Sequence, residues 1–395
     1  MKREPQAARL ALQAMEREGV RRVRRTVEGY TRDGRTTHLR VDGRELVNFC
    51  SNDYLGLARD ARVVEAMADS AQVFGAGSGA AHLVTGHGIE HQRLEETLAD
   101  LTGRESALLF STGYMANLGV ITALIGRGGI VLEDRLNHAS LIDGALLSGA
   151  RLSRYNHNSI GDALSRLEKA EESERLIASD GVFSMDGDIA PLRTLSQLAT
   201  HSQSWLVVDD AHGFGVIGRE GAGCVAAAGL GVDDVPLVVG TLGKAFGVFG
   251  AFVAGPRDLI EFVLQRARSY VYTTALPPAV ATAARVAVEI AREEEWRRER
   301  LQSLIARFRE GASILGLPLM ESRTAIQPIV LEDSLRCLRA SQALRERGYW
   351  VAAIRPPTVP QHTARLRVTL SSAHDERDID GLLDALGDIV QQRAA

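Results

Sequence analysis

The sequence has few of the features that would place a chain outside the cell or within a membrane. Its 395 residues include three cysteines, Cys50, Cys224 and Cys337, and no CxxC pair. This excludes a disulfide framework or cysteine zinc site and favours a reducing, cytoplasmic compartment. No run of about eighteen apolar residues occurs, so no transmembrane helix is predicted. The first residues lack an apolar run and a cleavage site, so no signal peptide is predicted.

The chain also lacks a strong excess of one charge. It has 46 basic and 50 acidic residues, for a net charge of -4, which argues against a nucleic-acid or membrane partner. The basic stretch at residues 21–25 is the exception, and its simplest interpretation is a solvated helix face. The ten histidines show no HExxH spacing, so no metal site is predicted.

Hydrophobic patterning indicates an α/β protein. Residues 5–25 predict an amphipathic helix, and residues 36–49 predict a β-ribbon that turns at Asp42-Gly43. From about residue 60, helical stretches alternate with short apolar runs, which predicts a mostly parallel sheet covered on both faces. Such a sheet binds ligands at the carboxyl ends of its strands. The runs are ALLFST (107–112), GIVLED (129–134), RLIASD (175–180), WLVVDD (205–210), VPLVVGT (235–241) and GAFVAG (250–255).

Three segments follow from this patterning. Residues 1–55 form an arm of helix and ribbon, residues 56–285 a large domain, and residues 286–395 a small α+β domain. The charged, periodic stretch at 280–310 predicts a long exposed helix between the two domains.

Two glycine-rich motifs match nucleotide-binding patterns, but neither has the surroundings that such a site requires. Residues 75–80 match GxGxxA, but a helix precedes them where a dinucleotide site needs a strand. Residues 240–245 resemble a phosphate loop, but this loop is too short and no Ser or Thr follows Lys244.

Three other segments end at the same predicted edge of the sheet. An apolar strand runs into Asp209, Asp210 and His212, while Lys244 lies among glycines and residues 111–114 combine hydroxyls with a glycine at a helix start. Taken singly, the aspartates could belong to a helix cap or a surface turn, and Lys244 could be a lysine that reaches solvent at a strand end. Together they supply an amine, a carboxylate and an anion seat, which is the set that pyridoxal phosphate requires.

At this point the chain resembles the α-oxoamine synthases of the aspartate-aminotransferase fold (fold type I), over essentially its whole length. The resemblance implies a mostly parallel seven-stranded sheet, with GAFVAG antiparallel, and a small α+β domain. The matching segments are FCSNDYLGL (49–57), GSGAAHLVTG (77–86), HQRLEETLADLTGRESALLFSTGYMAN (91–117), DRLNHASLIDG (134–144), SDGVFSMDGDIAPL (179–192), VVDDAHGFGVIG (207–218), GTLGKAFG (240–247) and YTTALPP (272–278).

The resemblance also implies a cofactor site for pyridoxal 5'-phosphate. Lys244 would form the Schiff base, Asp209 would pair with the pyridinium nitrogen, and His138 would stack on the ring. The remaining cofactor residues implied are His212 and Ser184 at the ring oxygen, Gly113, Tyr114 and Thr241 at the phosphate, and Thr273 or Thr274 at the phosphate of the partner subunit in a homodimer.

Substrate roles are implied as well. Arg355 would bind the amino-acid carboxylate, Arg21 and Thr358 would face the acyl group, and Asn52 would lie at the mouth of the site. Phe214 and Phe249 depart from the family pattern and put the acyl chain length in question.

Within the family, residues 353–380 favour a subgroup that acts in biotin biosynthesis. Its members condense L-alanine with a pimeloyl thioester, carried on coenzyme A or acyl carrier protein, and release carbon dioxide. Glycine C-acetyltransferase, 5-aminolevulinate synthase and a serine-using acyltransferase share this chemistry and remain alternatives. A non-catalytic scaffold subunit and an aminotransferase are further alternatives.

Overall fold

The computed structural model describes residues 5–31 and 34–391. The chain forms two compact units. The larger unit comprises Asp53–Ser184 and Ile189–Arg298, and the smaller one comprises Met1–Asn52, Met185–Asp188 and Glu299–Ala395. The three-segment division made from the sequence stays a prediction.

The described elements alternate between strands and helices through most of the chain. The strands are β1 (Val27–Tyr30), β2 (His38–Val41), β3 (Arg44–Asn48), β4 (Ser106–Phe110), β5 (Ile130–Asp134), β6 (Arg151–Tyr155), β7 (Arg175–Asp180), β8 (Trp205–Asp209), β9 (Leu237–Thr241), β10 (Ala251–Gly255), β11 (Ile326–Glu332), β12 (Tyr349–Trp350), β13 (Ala352–Ile354) and β14 (Ala364–Thr369). The helices are α1 (Pro5–Arg17), α2 (Ala61–Phe74), α3 (Ile89–Thr102), α4 (Gly113–Leu124), α5 (Ala139–Ser148), α6 (Ile160–Glu168), α7 (Leu192–His201), α8 (Gly223–Ala227), α9 (Arg257–Arg266), α10 (Arg268–Val271), α11 (Pro278–Glu293), α12 (Glu295–Ile314), α13 (Ser334–Glu346) and α14 (Glu376–Gln391).

The larger unit is built on a seven-stranded sheet of order β4-β10-β9-β8-β7-β5-β6. Pairing is parallel from β9 to β6, while β10 runs antiparallel to both neighbours. The predicted sheet and the antiparallel direction of 250–255 are therefore confirmed. Strands β8, β9 and β10 are almost wholly buried because their apolar side chains point to both faces of the sheet, as their continuous apolar runs require. The edge strand β6 is partly exposed.

The prediction of one long exposed helix over 280–310 is wrong. Two helices, α11 and α12, cover this stretch, and α11 is largely buried. Its alanines, among them Ala283, Ala284 and Ala287, recur at helical spacing and have no solvent exposure. Small side chains of this kind let neighbouring helices approach closely. The charged residues that suggested exposure cluster from Glu293 onward, where α11 ends.

The described part of the smaller unit contains two sheets, of order β1-β2-β3-β12 and β11-β14-β13. The predicted ribbon is confirmed, since β2 and β3 pair antiparallel around Asp42 and Gly43, both at positive φ. The helix expected over 5–25 ends early, at Arg17. Gly19 follows at φ +66° and a Cβ there would lie 2.7 Å from Leu335, so the chain turns at a position that suits glycine.

None of the helices among the described residues is long and apolar enough to cross a bilayer.

Candidate active site

One pocket of the larger unit gathers most of the predicted site residues. It lies where β4, β5, β7, β8 and β9 reach their carboxyl ends, as parallel sheets of this kind predict. Its walls are Gly113, Tyr114, His138, Ser140, Asp180, Ser184, Asp209, Ala211, His212, Thr241 and Lys244.

Asp209 ends β8 with its carboxylate on the pocket wall. Asn117 Nδ2 donates to Asp209 Oδ2 at 2.6 Å, and the Ala211 N–H donates to Oδ1 at 3.0 Å. Asn117 Nδ2 also lies 2.8 Å from Ser140 Oγ. Two fixed donors orient this carboxylate, because each of its oxygens is held by a different element.

Asp210, the next residue, faces the other way. It is fully buried, and the Cys224 N–H donates to its Oδ2. Added Cβ atoms would lie 2.0 Å from its Oδ1 at Gly213 and 2.2 Å from its Oδ2 at Gly223. Burial raises the pKa of Asp210 to about 7. Asp210 is therefore a packed carboxyl group away from the pocket, and Asp209 is the carboxylate that a ligand can meet.

Lys244 lies on the loop between β9 and β10, and several hydrogen bonds fix that loop. The Leu242 N–H donates to Gly250 O at 2.9 Å, and the Gly247 N–H donates to Lys244 O at 2.8 Å. Gly247 has φ +69°, and a Cβ there would lie 2.3 Å from the Ala58 nitrogen. The glycine is needed because the backbone of another segment passes directly against it.

The ionisable groups of His138, Asp180, Asp209 and Lys244 lie close enough in the pocket to shift one another's pKa values. The His138 N–H donates to Asp180 Oδ2 at 2.9 Å, and Asp180 pairs in register with Asp209 on adjacent strands. Desolvation raises the pKa of Asp180 well above its usual range, and repulsion by Asp209 adds to the shift. Desolvation, together with the Lys244 cation, lowers the pKa of His138 against the pull of Asp209. A neutral His138 follows, and its Nδ1 accepts from the Ser140 N–H at 3.3 Å.

His212 is held from a second segment. Its Nδ1 is hydrogen-bonded to the hydroxyl of Tyr54 over 2.6 Å, and Tyr54 is buried. Ser184 lies on the same pocket wall. The tyrosine fixes the orientation of the imidazole, so the ring nitrogen on its far side has a defined direction.

The N-terminus of α4 has the features of an anion-binding site. Thr112 caps this helix by accepting from the Met115 N–H at 3.2 Å, and nothing occupies the space within 4 Å of a Cβ at Gly113. Tyr114 donates its hydroxyl proton to Asp143. Helix N-termini attract anions because their first N–H groups have no partner within the helix. Thr241 borders the same pocket.

Four predicted substrate residues lie in the smaller unit. Asn52 Oδ1 accepts from both terminal nitrogens of Arg367, at 3.3 and 3.2 Å. Arg355 donates through Nη1 to Gly19 O, while its buried Nε has no partner among the described residues. Arg21 pairs with Glu16, and Thr358 Oγ1 accepts from Arg22. The ligands predicted for these residues remain predictions.

Thr273 and Thr274 do not line the pocket of their own chain. Thr274 is exposed and forms an isolated antiparallel bridge with Ala81. Phe214 packs against Phe252 in the core and Phe249 is exposed, so neither borders this pocket.

The sequence reasoning missed three residues that shape the site, Tyr54, Asn117 and Asp180. Asn117 lies one helical turn after Gly113 and so faces the same way, which was a usable signal. Asp180 ends an apolar run beside β8, where parallel strands bring their carboxyl ends together. Tyr54 carries no comparable signal, because its contact with His212 joins distant segments.

Comparison with known proteins shows to which family the chain belongs. The family model described as aminotransferase class I and II matches residues 44–386, so the chain belongs to this family. Serine palmitoyltransferase from S. paucimobilis, whose structure has a bound PLP-myriocin aldimine, superposes with a TM-score of 0.93 at 31% identity. The match covers 98% of each chain.

Closer relatives define the member of that class. Two proteins named 8-amino-7-oxononanoate synthase, from Alkalilimnicola ehrlichii and Saccharophagus degradans, are 60% and 56% identical, each over 90% of both chains. The solved 8-amino-7-oxononanoate synthase of Francisella tularensis gives a TM-score of 0.77 at 31% identity, covering 89% of this chain and 99% of that one. Within the aminotransferase class the chain belongs to the 8-amino-7-oxononanoate synthases, which confirms the subgroup predicted from residues 353–380.

Proposed function

We propose that the chain is a pyridoxal-phosphate-dependent acyltransferase of biotin biosynthesis. It condenses L-alanine with a pimeloyl thioester, and the products are 8-amino-7-oxononanoate, carbon dioxide and the free thiol carrier. The observation that carries the proposal is that Lys244, Asp209 and His138 line one pocket. The chain that holds this pocket is 60% identical to a protein named 8-amino-7-oxononanoate synthase. Its three cysteines are free thiols, which accords with a cytoplasmic enzyme.

The pocket residues fit the cofactor by chemistry and by space. Lys244 supplies an amine, Asp209 a fixed carboxylate, and His138 a flat neutral ring. The open space at Gly113, at the start of α4, suits a phosphate, with Thr241 as a further hydroxyl donor. His212 and Ser184 would meet the ring oxygen.

When bound, pyridoxal phosphate supplies an electron sink for the charge that develops on the amino-acid Cα. Asp209 would keep a proton on the pyridine nitrogen, since its carboxylate is the one that faces the pocket. Asn117 and the Ala211 N–H hold the carboxylate in place. Removing the charge partner of a buried cation costs about 3–5 kcal/mol.

Lys244 would also move the substrate proton. A lysine amine in its neutral form can accept the Cα proton of alanine and later return one to the product. Neighbouring backbone bonds fix the loop that carries it, so Nζ is presented from a rigid base. His138 would cover one face of the ring and exclude water there.

Substrate binding rests on the smaller unit in this proposal. The partnerless Nε of Arg355 suits the alanine carboxylate, since arginine donors pair well with carboxylates. Asn52 would lie at the mouth of the site, and Arg21 and Thr358 would face the acyl group.

We further propose a homodimer in which Thr273 or Thr274 reaches the phosphate of the partner's cofactor. Large apolar side chains of the larger unit stand exposed near these threonines in the sequence and around Ala81, among them Leu83, Val84 and Tyr272. Exposed apolar surface of this kind marks an interface.

The test is thiol release and product mass with L-alanine, glycine or L-serine as the sole amino acid and pimeloyl thioester as donor. We expect turnover with alanine alone and none after Lys244→Ala, with the fold retained. Turnover with glycine alone would move the chain to a sister activity. Keto acid formation without carbon dioxide would indicate an aminotransferase, and a protein that never takes up cofactor would indicate a scaffold subunit.

A further inference from the structure

Five arginines of the smaller unit form what we call the arginine patch: Arg22, Arg24, Arg25, Arg44 and Arg345. The first three lie on the segment between α1 and β1, Arg44 begins β3, and Arg345 lies in the last turn of α13. All but the half-buried Arg345 are exposed. Because residues 18–26 are not helical, the earlier interpretation of a solvated helix face does not describe them.

Three of the five arginines, Arg25, Arg44 and Arg345, lie close together, and Arg22 and Arg24 adjoin Arg25 in the sequence. Arg25 pairs with Asp42 in the β2–β3 turn, next to Arg44. Burial lowers the pKa of Arg345, and the charges of Arg25 and Arg44 lower it further, against Asp42 and Glu346. Arg24 and Arg44 have no ion-pair partner among the residues that the structure describes. The patch therefore holds more positive charge than its own acids neutralise.

Apolar side chains stand among these arginines. Val23 is 73% exposed and Val27 is 46% exposed. Covering these valines against a partner would remove apolar surface from water, which favours association. A basic surface with exposed apolar residues fits a folded acidic protein better than it fits a single phosphate group.

The patch borders residues already linked to the substrate. Arg22 Nη2 donates to Thr358 Oγ1 at 2.8 Å, and Arg355 donates to Gly19 O, two residues before Arg21. Thr358 and Arg21 are the residues proposed to face the acyl group. A partner bound on the patch would therefore present its cargo beside them.

We infer that the arginine patch is the docking surface for an acidic acyl carrier protein that delivers the pimeloyl group. This inference rests on the proposed function and names the form of its thioester donor. Charge complementarity raises the association rate of such pairs and makes it depend on salt.

The experiment compares three donors of the same acyl group: pimeloyl-acyl carrier protein, pimeloyl-coenzyme A and pimeloyl-pantetheine. The test variant is the double substitution Arg24→Glu, Arg44→Glu, which breaks no ion pair described above. The matched control is Arg219→Glu, whose side chain in the larger unit is 94% exposed. We expect kcat/KM with the carrier protein to fall about tenfold or more and its salt dependence to flatten, with pantetheine turnover within about twofold.

Other outcomes would overturn the inference in distinct ways. Equal losses with carrier protein and coenzyme A, with pantetheine unaffected, would assign the patch to the phosphate of the phosphopantetheine arm, which those two donors share and pantetheine lacks. Unchanged carrier kinetics, a loss shared by all three donors, or an equal loss in Arg219→Glu would remove the patch from docking. Absence of turnover with every donor in the unsubstituted enzyme would reject the proposed function itself.

Discussion

Two successive carboxyl groups at the end of β8, those of Asp209 and Asp210, lie on opposite faces of the sheet in different surroundings. Asp209 enters the pocket between two hydrogen-bond donors, near Lys244 and His138. Asp210 enters the core between glycines, with a single N–H donor to its Oδ2 and no partner for Oδ1 among the described residues. Identical side chains one residue apart thus have different tasks, because strand alternation sends them to opposite faces.

The largest expected effect lies on the pocket face. Asp209→Ala should keep the fold and lower kcat about 10²–10³-fold, since the cationic ring loses its charge partner. Steady-state turnover and a melting curve measure the two effects separately. Activity within a few-fold of the unsubstituted enzyme would show that Asp209 is not the carboxylate that pairs with the cofactor ring.

The next effect lies on the core face. Gly213→Ala places a Cβ 2.0 Å from Asp210 Oδ1 and 2.7 Å from Cys224 Sγ. We expect a loss of about 3 kcal/mol in unfolding free energy or failure to accumulate folded protein. Gly161→Ala is the control, because nothing lies within 4 Å of a Cβ there. Equal stability in both variants would show that the glycines around Asp210 are not needed for packing.

A smaller effect tests how Asp209 is positioned. Asn117→Ala removes the donor to Oδ2, and we expect kcat to fall about tenfold with little change in the KM for alanine. Thr122→Ala, on the same helix, is the control because its hydroxyl donates to carbonyl oxygens of that helix, at Leu118 and Gly119. If the two variants behave alike, Asn117 supports the helix and not the carboxylate.

The smallest effect concerns Asp210 and pH. Its pKa rises from the ordinary value near 4 to about 7, so the native state binds a proton that the unfolded chain releases. Stability from this group therefore falls as pH rises from about 4 to 7. Asp210→Asn should keep activity within about twofold, and its melting temperature relative to the parent should be higher at pH 8 than at pH 5. The opposite ordering would mean that Asp210 is charged in the core.

Patterning predicted six of the seven strands of the larger sheet, because those six are continuous apolar runs. It missed the edge strand β6, which is RLSRY and partly exposed, and the number seven came from the resemblance. The pocket could be predicted from those runs, since Gly113 and Lys244 follow shortly after two of them and Asp209 ends the strand in a third. Resemblance supplied the antiparallel direction of β10, which periodicity alone does not give.

Features that depend on contacts between distant segments could not be predicted from the sequence pattern. The Tyr54–His212 bond is one example, and the burial of α11 is another. The early end of α1 depends on Gly19 and its fit against Leu335, which helical periodicity over residues 5–25 did not indicate.

The place of β10 in the sheet has a consequence for synthesis on the ribosome. Among the described residues, strand β4, which ends at the proposed anion-binding site, pairs with β10 alone, through contacts such as Phe110 with Ala251. It therefore stays an unpaired edge until the chain beyond the lysine loop has emerged. We therefore expect the cofactor pocket to be completed only after that long-range pairing, with β4 exposed to other strands in the meantime.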